Sequence, residues 1–146
     1  MDKLVTTHLD RVDIETILPH REPFLFVDAV LEIEDGKRIV GELHVDDGVR
    51  FLSRRDDGVF LPATVLAEAM AQVGAILALH PQENRGRTIY FRAIEGAEFN
   101  DPVALGQTVR IEAEVRKMRA RFGVLGVTAY VNDTVAAKAV MSFALG

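Results

Sequence analysis

The sequence predicts an α+β fold in which a curved antiparallel sheet wraps around one long central helix. Two observations carry this. The stretch from Leu61 to Leu79 reads as a helix with apolar residues on every side of the wheel and no Lys, Arg or Asp. Such a helix is normally surrounded by protein or lipid. Three or more long strand-like runs follow it, and the one from Thr108 to Met118 alternates cleanly between apolar and polar residues, which marks a strand with one wet face. A sheet with one solvated face needs a cover on the other, and the apolar helix is the segment able to provide it.

The elements follow in chain order. Residues 1–10 read as a loose arm. Asp10 or Asp13 caps a short helix through Val12, Ile14, Ile17 and Leu18. Pro19 ends it, because the residue before a proline avoids the helical region. Leu18 to Pro23 is a rigid turn between two prolines. The β-branched and aromatic run Phe24 to Glu34 predicts a strand. Asp35-Gly36 is a hairpin turn signal, and Lys37 to Val45 returns with Ile39, Gly41, Leu43 and Val45 on one face. Asp46 to Phe60 reads as a polar loop carrying Arg50, Arg54, Arg55, Asp56 and Asp57. Pro62 suits a first helical position, and His80-Pro81 stops the helix after roughly 27 Å, at 1.5 Å per residue. Thr88 to Phe99 is a strand with a bulge expected at Gly96. In Thr108 to Met118, Val109, Ile111, Ala113 and Val115 share the apolar face. Phe122 to Val131 and Val135 to Leu145 complete a meander, joined at Asn132-Asp133.

Composition narrows the function. The 146 residues predict one domain, 1–146, able to bury a core without staples. The absence of cysteine excludes disulfides, a thiol nucleophile and a thiolate metal site. A net charge of -5 argues against general nucleic-acid binding. Glu68 and Gln72 interrupt the apolar helix, whereas a membrane span needs about 20 predominantly apolar residues, so no span is expected. Met1 to Thr7 lacks the apolar core of a signal peptide, and the cytoplasm is the expected location. No pair of histidines has zinc-ligand spacing, so no metal is expected.

Glu68 and Gln72 are the only long polar side chains in the helix. Their i, i+4 spacing puts them on one face, one turn apart. A lone buried carboxylate costs several kcal/mol unless it is paired or protonated. Glu68 is therefore either a buried structural acid, bonded to a backbone amide or to Gln72, or a catalytic carboxyl. Among the histidines, His20 is expected to lock its turn by hydrogen bonds. His44 is expected on the surface, His80 to meet the helix C-terminal dipole, and His8 lies in the arm.

At this point the chain resembles a known family. Leu18-Pro19-His20-Arg21-Glu22-Pro23-Phe24-Leu25-Phe26-Val27-Asp28 resembles the opening motif of the (3R)-hydroxyacyl-(acyl carrier protein) dehydratases of fatty acid synthesis. Leu61-Pro62-Ala63 through Glu68-Ala69-Met70-Ala71-Gln72 is similar to their central helix. Phe91 to Phe99 with Pro102-Val103 is similar to their third strand. The resemblance implies the hot-dog fold, with homodimers or trimers of dimers and active sites at the dimer interface. It implies elimination of water from a β-hydroxyacyl thioester carried by acyl carrier protein or coenzyme A, on a phosphopantetheine arm and with no further cofactor. By resemblance Glu68 is the acid, and a backbone N–H near Ala63 polarises the thioester carbonyl. The family's base is a histidine fourteen residues before the acid, where this chain has Arg54. Arginine stays protonated and cannot be a general base. The family's glycine after the helix proline is Ala63 here.

The arginine loop has two readings. It is either a solvated set of ion pairs, or Arg54 and Arg55 stand at a tunnel mouth. There they would hold a phosphopantetheine phosphate, an acidic carrier protein or a substrate carboxylate. Phe60, Met70, Phe91 and Phe99 either line an acyl tunnel or are plain core. Three functions remain: a dehydratase-like enzyme with Glu68 as acid, a hot-dog thioesterase using Glu68 and Gln72, and a non-catalytic acyl-binding or partner subunit. Fold alone does not choose between them.

Overall fold

A computed structural model describes residues 5–146. The strands are β1 (Val5–Leu9), β2 (Ala29–Glu34), β3 (Arg38–His44), β4 (Ser53–Arg55), β5 (Gly58–Leu61), β6 (Ile89–Phe99), β7 (Val103–Ala104), β8 (Thr108–Met118), β9 (Phe122–Val131) and β10 (Thr134–Leu145). The helices are α1 (Arg11–Ile17) and α2 (Ala63–Leu79), with a 3-10 turn at Gln82–Asn84. One seven-stranded sheet runs in the order β1-β2-β3-β8-β9-β10-β6, and β4-β5-β7 form a second of three strands. Helix α2 packs on the large sheet against β3, β8, β9 and β6. This is the α+β hot-dog arrangement.

The core forms where the apolar face of the sheet meets α2. Ile39, Ile111, Leu125, Met141 and Phe143 are buried from the sheet side, and Met70, Ile76, Leu77 and Leu79 from the helix side. Each such side chain contributes about 1.5–3 kcal/mol relative to an exposed one. Two glycines set the close approach. A Cβ on Gly41 of β3 would lie 3.0 Å from Val73 Cγ2, and one on Gly74 of α2 would lie 2.8 Å from Leu125 Cδ1.

Local signals account for several boundaries. Asp10 caps α1, accepting from the Asp13 N–H at 2.9 Å while Asp13 accepts from the Asp10 N–H at 3.1 Å. That backbone N–H holds the Asp10 carboxyl below its ordinary range. The bulge falls where expected: Lys138 and Val140 of β10 oppose Glu98 and Glu95, so β6 carries one extra residue beside Gly96, whose φ is +58°.

Four expectations need correction. The arm is a strand over its described part: Val5–Leu9 pairs antiparallel with β2, Val5 opposite Glu34 and Leu9 opposite Val30. Residues 1–4 of the expected arm lie outside the described residues. The run from Phe24 becomes a strand only at Ala29, because side chains claim its earlier backbone groups. Gln72 takes the Phe26 N–H at 2.8 Å and the Phe24 carbonyl at 2.7 Å, and Arg11 takes the Leu25 carbonyl at 2.9 Å. The polar loop folds into a hairpin, Ser53 opposite Phe60 and Arg55 opposite Gly58. Pro62 is the N-cap of α2, with an extended ψ of 144°, rather than its first helical residue.

Candidate active site

The first turns of α2 are open. Ala63, Thr64 and Glu68 are exposed and Ala67 is half-buried, whereas every residue from Ala69 to Leu79 is buried. At about 100° per residue, these four open positions fall on one arc of the helix, away from the strands that pack on it. This corrects the expectation of a buried acid: the Glu68 side chain is 47% exposed.

Gln72, one turn further on, is the buried partner, at 1% exposure. Its carbonyl accepts from the Phe26 N–H, and its amide N–H groups donate to the Phe24 carbonyl and, at 3.1 Å, to Glu68 Oε1. A donor and an acceptor on the backbone therefore fix which way the amide points. The same side chain ties α2 to the segment after Pro23 and aims an N–H at the carboxylate.

His20 also faces this carboxylate, with Nε2 3.7 Å from Glu68 Oε1. Its turn is not locked by its ring, contrary to expectation. Arg21 does that work, donating to the backbone carbonyls of Leu18 at 2.9 Å, His20 at 2.8 Å and Glu15 at 3.0 Å. Among the described residues, His20 Nδ1 is the buried side-chain nitrogen or oxygen with no hydrogen-bond partner.

A groove of roughly 340 Å³ opens at the start of α2, with Arg55, Phe60, Ala63, Leu66, Phe99 and Val103 among its walls. The Arg55 guanidinium lies over the Phe60 ring, 4.1 Å from its centre, and its Nε is 3.4 Å from Asp57. Pro62 supplies no side-chain cap; the Val65 and Leu66 N–H groups turn back to its carbonyl, each at 3.0 Å, and Ala63, at the helix start where N–H groups have no preceding turn to bond to, lines this groove. Glu68 is not one of its walls. It lies about 140° around the helix from Ala63 and about 7.5 Å along it.

The structure thus brings together Glu68, Gln72 and His20 on one side, and Ala63, Arg55 and Phe60 on another. Arg54 is exposed on β4, outside the groove walls. Phe91 stands apart: its ring is 6.4 Å from that of Phe143 and it lies beneath Gly74, in the packing between helix and sheet. Met70 is fully buried core. Of the four residues considered for a tunnel, Phe60 and Phe99 line the groove.

Two residues were missed by the sequence reading. Phe24 and Phe51 stack at 5.5 Å and remain 59% and 39% exposed, with Phe26 edge-on to Phe51 at 6.2 Å. Phe24 lies on the segment that Gln72 anchors, and Phe51 packs on it from the loop before β4. An aromatic inside an otherwise charged loop, as Phe51 is, was the available signal. Among the described residues, no group of three or more His, Asp or Glu is placed to hold a metal ion. No helix among them is long and apolar enough to cross a membrane.

Residues 18–140 match the FabA-like domain family. The chain is 43% identical to the 3-hydroxyacyl-(acyl-carrier-protein) dehydratase FabZ of Desulforamulus reducens, over 94% of this chain and 98% of that one. It is 39% identical to the protein of the same name in Bacillus cereus, over 94% and 96%. Among solved structures it is similar to the dehydratase heterocomplex ApeI:P from Xenorhabdus doucetiae, with a TM-score of 0.80, 18% identity, and coverage of 91% of this chain and 90% of that one.

Proposed function

The chain belongs to the FabA-like family, and from that premise we propose that it is a lyase removing water from 3-hydroxyacyl thioesters of acyl carrier protein. The observation that carries this reading is the half-exposed Glu68 on the open turns of α2, steadied at Oε1 by the buried Gln72. In this reading Glu68 supplies the proton that leaves with the hydroxyl group. The backbone N–H at Ala63 polarises the thioester carbonyl as charge develops on it. Phe60 and Phe99 receive the acyl chain. Arg55, with the exposed Arg54 beside it, meets the phosphate of the phosphopantetheine arm. Coenzyme A, which carries the same arm, is the alternative carrier. No further cofactor enters, and a cytoplasmic location goes with the reading.

Within one chain Glu68 lies off the groove, so we assign the complete site to a pair of chains. Strand β6 ends the seven-stranded sheet and pairs with β10 on its other side. Along it Tyr90, Ile94 and Phe99 are 59%, 49% and 43% exposed. An open strand edge with exposed large apolar side chains is the surface on which a second sheet adds. A homodimer, alone or as three dimers together, would join the groove of one copy to the Glu68 side of the other. Sedimentation at micromolar concentration should give a dimer or hexamer; a monomer that is fully active would remove the shared site.

The activity test uses crotonyl and 3-hydroxyacyl thioesters, following both hydration and release of free thiol. Reversible hydration supports the dehydratase. Thiol release would support a thioesterase, which the 39–43% identical dehydratase relatives do not favour. Neither reaction would leave an acyl-binding partner subunit.

A further inference from the structure

The hairpin of β4 and β5 turns one face to the groove. Ser53 pairs opposite Phe60, and Arg55 lies two residues along from Ser53, so these three side chains share a face. All three wall the groove, whereas Arg54 and Val59, on the alternate face, do not. On the groove face the Arg55 guanidinium lies over the Phe60 ring, 4.1 Å from its centre. Gly58, opposite Arg55, also comes close to the ring: a Cβ there would lie 3.1 Å from Cε2. Of these two neighbours only the arginine is a side chain that can swing away. The dehydratase reading gives the Phe60 ring to the acyl chain, and the guanidinium lies on that ring.

Two weak contacts keep it there. Arg55 Nε is 3.4 Å from Asp57 Oδ1, with side chains 47% and 73% exposed. Among the described residues no other carboxylate or carbonyl holds the guanidinium. An exposed ion pair shifts an equilibrium by at most about five-fold, and a cation over a ring at an exposed site by about two- to five-fold. A hydrogen bond between charged groups is worth about ten-fold or more, and a phosphate offers a guanidinium two of them side by side. A phosphate within reach therefore wins Arg55 from Phe60.

We propose that Arg55 is a specificity-determining residue that ties access to the acyl groove to the phosphate of the carrier arm. The inference rests on the dehydratase reading and deepens it. A thioester that carries the phosphate draws the guanidinium off Phe60 and uncovers the ring for its own acyl chain. A thioester of the same acyl chain without the phosphate leaves the ring covered and has to displace the guanidinium itself. The substrates selected are acyl thioesters on a phosphorylated arm, and the same acyl groups on shorter, uncharged thiols are turned away.

The test measures hydration of octenoyl-phosphopantetheine and octenoyl-pantetheine, α,β-unsaturated thioesters that differ only in the phosphate. The wild-type protein should favour the phosphorylated ester by about ten-fold or more in kcat/KM. Arg55→Ala, at an exposed position where the fold should be kept, is checked first for an unchanged melting temperature. It should slow the phosphorylated ester several-fold and speed the pantetheine ester by about two- to five-fold, bringing the two rates together. The gain is the decisive sign, because losing a plain phosphate contact speeds nothing. Arg54→Ala, which removes a charge without uncovering Phe60, should slow the phosphorylated ester and speed neither. A pantetheine ester that reacts no faster with Arg55→Ala, a gain of the same size with Arg54→Ala, or a wild-type protein that treats the two esters alike would each overturn the proposal. Wild-type protein that hydrates neither ester would defeat the dehydratase reading itself, a result distinct from active protein that is blind to the phosphate.

Discussion

The two ends of α2 have nearly the same composition and different surroundings. From Ala69 to Leu79 every residue is buried, while Ala63, Thr64 and Glu68 in the first turns are exposed. Ala predominates in both parts. The difference lies in where the strands run: β3, β8, β9 and β6 pack along the helix, and its opening turns keep one arc uncovered. One helix thus serves as core for most of its length and as site wall at its start. Gln72 stands at the join, buried itself and holding the exposed Glu68.

Substitutions at the two ends should separate these roles. The largest effect on stability is expected from Ile76→Ala, which leaves a cavity under a fully buried side chain and should cost about 2–5 kcal/mol, measured by urea unfolding. A loss below about 1 kcal/mol would mean that this half is not packed as described. Gln72→Leu should come next. It strands the Phe26 N–H and the Phe24 carbonyl, at about 1–3 kcal/mol for each backbone group left unpaired, and should also slow the reaction by releasing Glu68 Oε1. Equal stability in the variant would show that the bridge to the 24–26 segment contributes nothing. Thr64→Ala, on the open arc, should change stability by no more than about 0.5 kcal/mol; a shift comparable to that of Ile76→Ala would erase the contrast between the two ends.

Much of the fold was legible because the signals are local. The period-two pattern of Thr108 to Met118, the Asp35-Gly36 turn, the Asp10 cap and the glycine at the β6 bulge each act within a few residues. The unread parts depend on distant partners. Val5–Leu9 is too short to declare itself and becomes a strand by pairing with the edge of β2. The β4–β5 hairpin was masked by the charges of Arg54 to Asp57. Phe24 to Asp28 has strand composition, but Gln72, nearly fifty residues away, claims the Phe24 carbonyl and the Phe26 N–H, and Arg11 the Leu25 carbonyl. Glu68 and Gln72 were legible as a pair from their spacing. Their opposite burial was not, because a helical wheel shows which residues share a face and not which face the strands cover. The groove was foreshadowed by Phe60 and Arg55, while Phe91 could be assigned to the core only once Phe143 was seen beside it.

The central claim is that the chemistry resides at the open end of α2, on Glu68. It is tested most directly by measuring crotonyl-thioester hydration and thermal melting of Glu68→Gln beside the wild type. The account predicts a rate lowered by about 10²–10⁴-fold with melting essentially unmoved, because the side chain is half exposed. Hydration at the wild-type rate by a folded Glu68→Gln protein would contradict it.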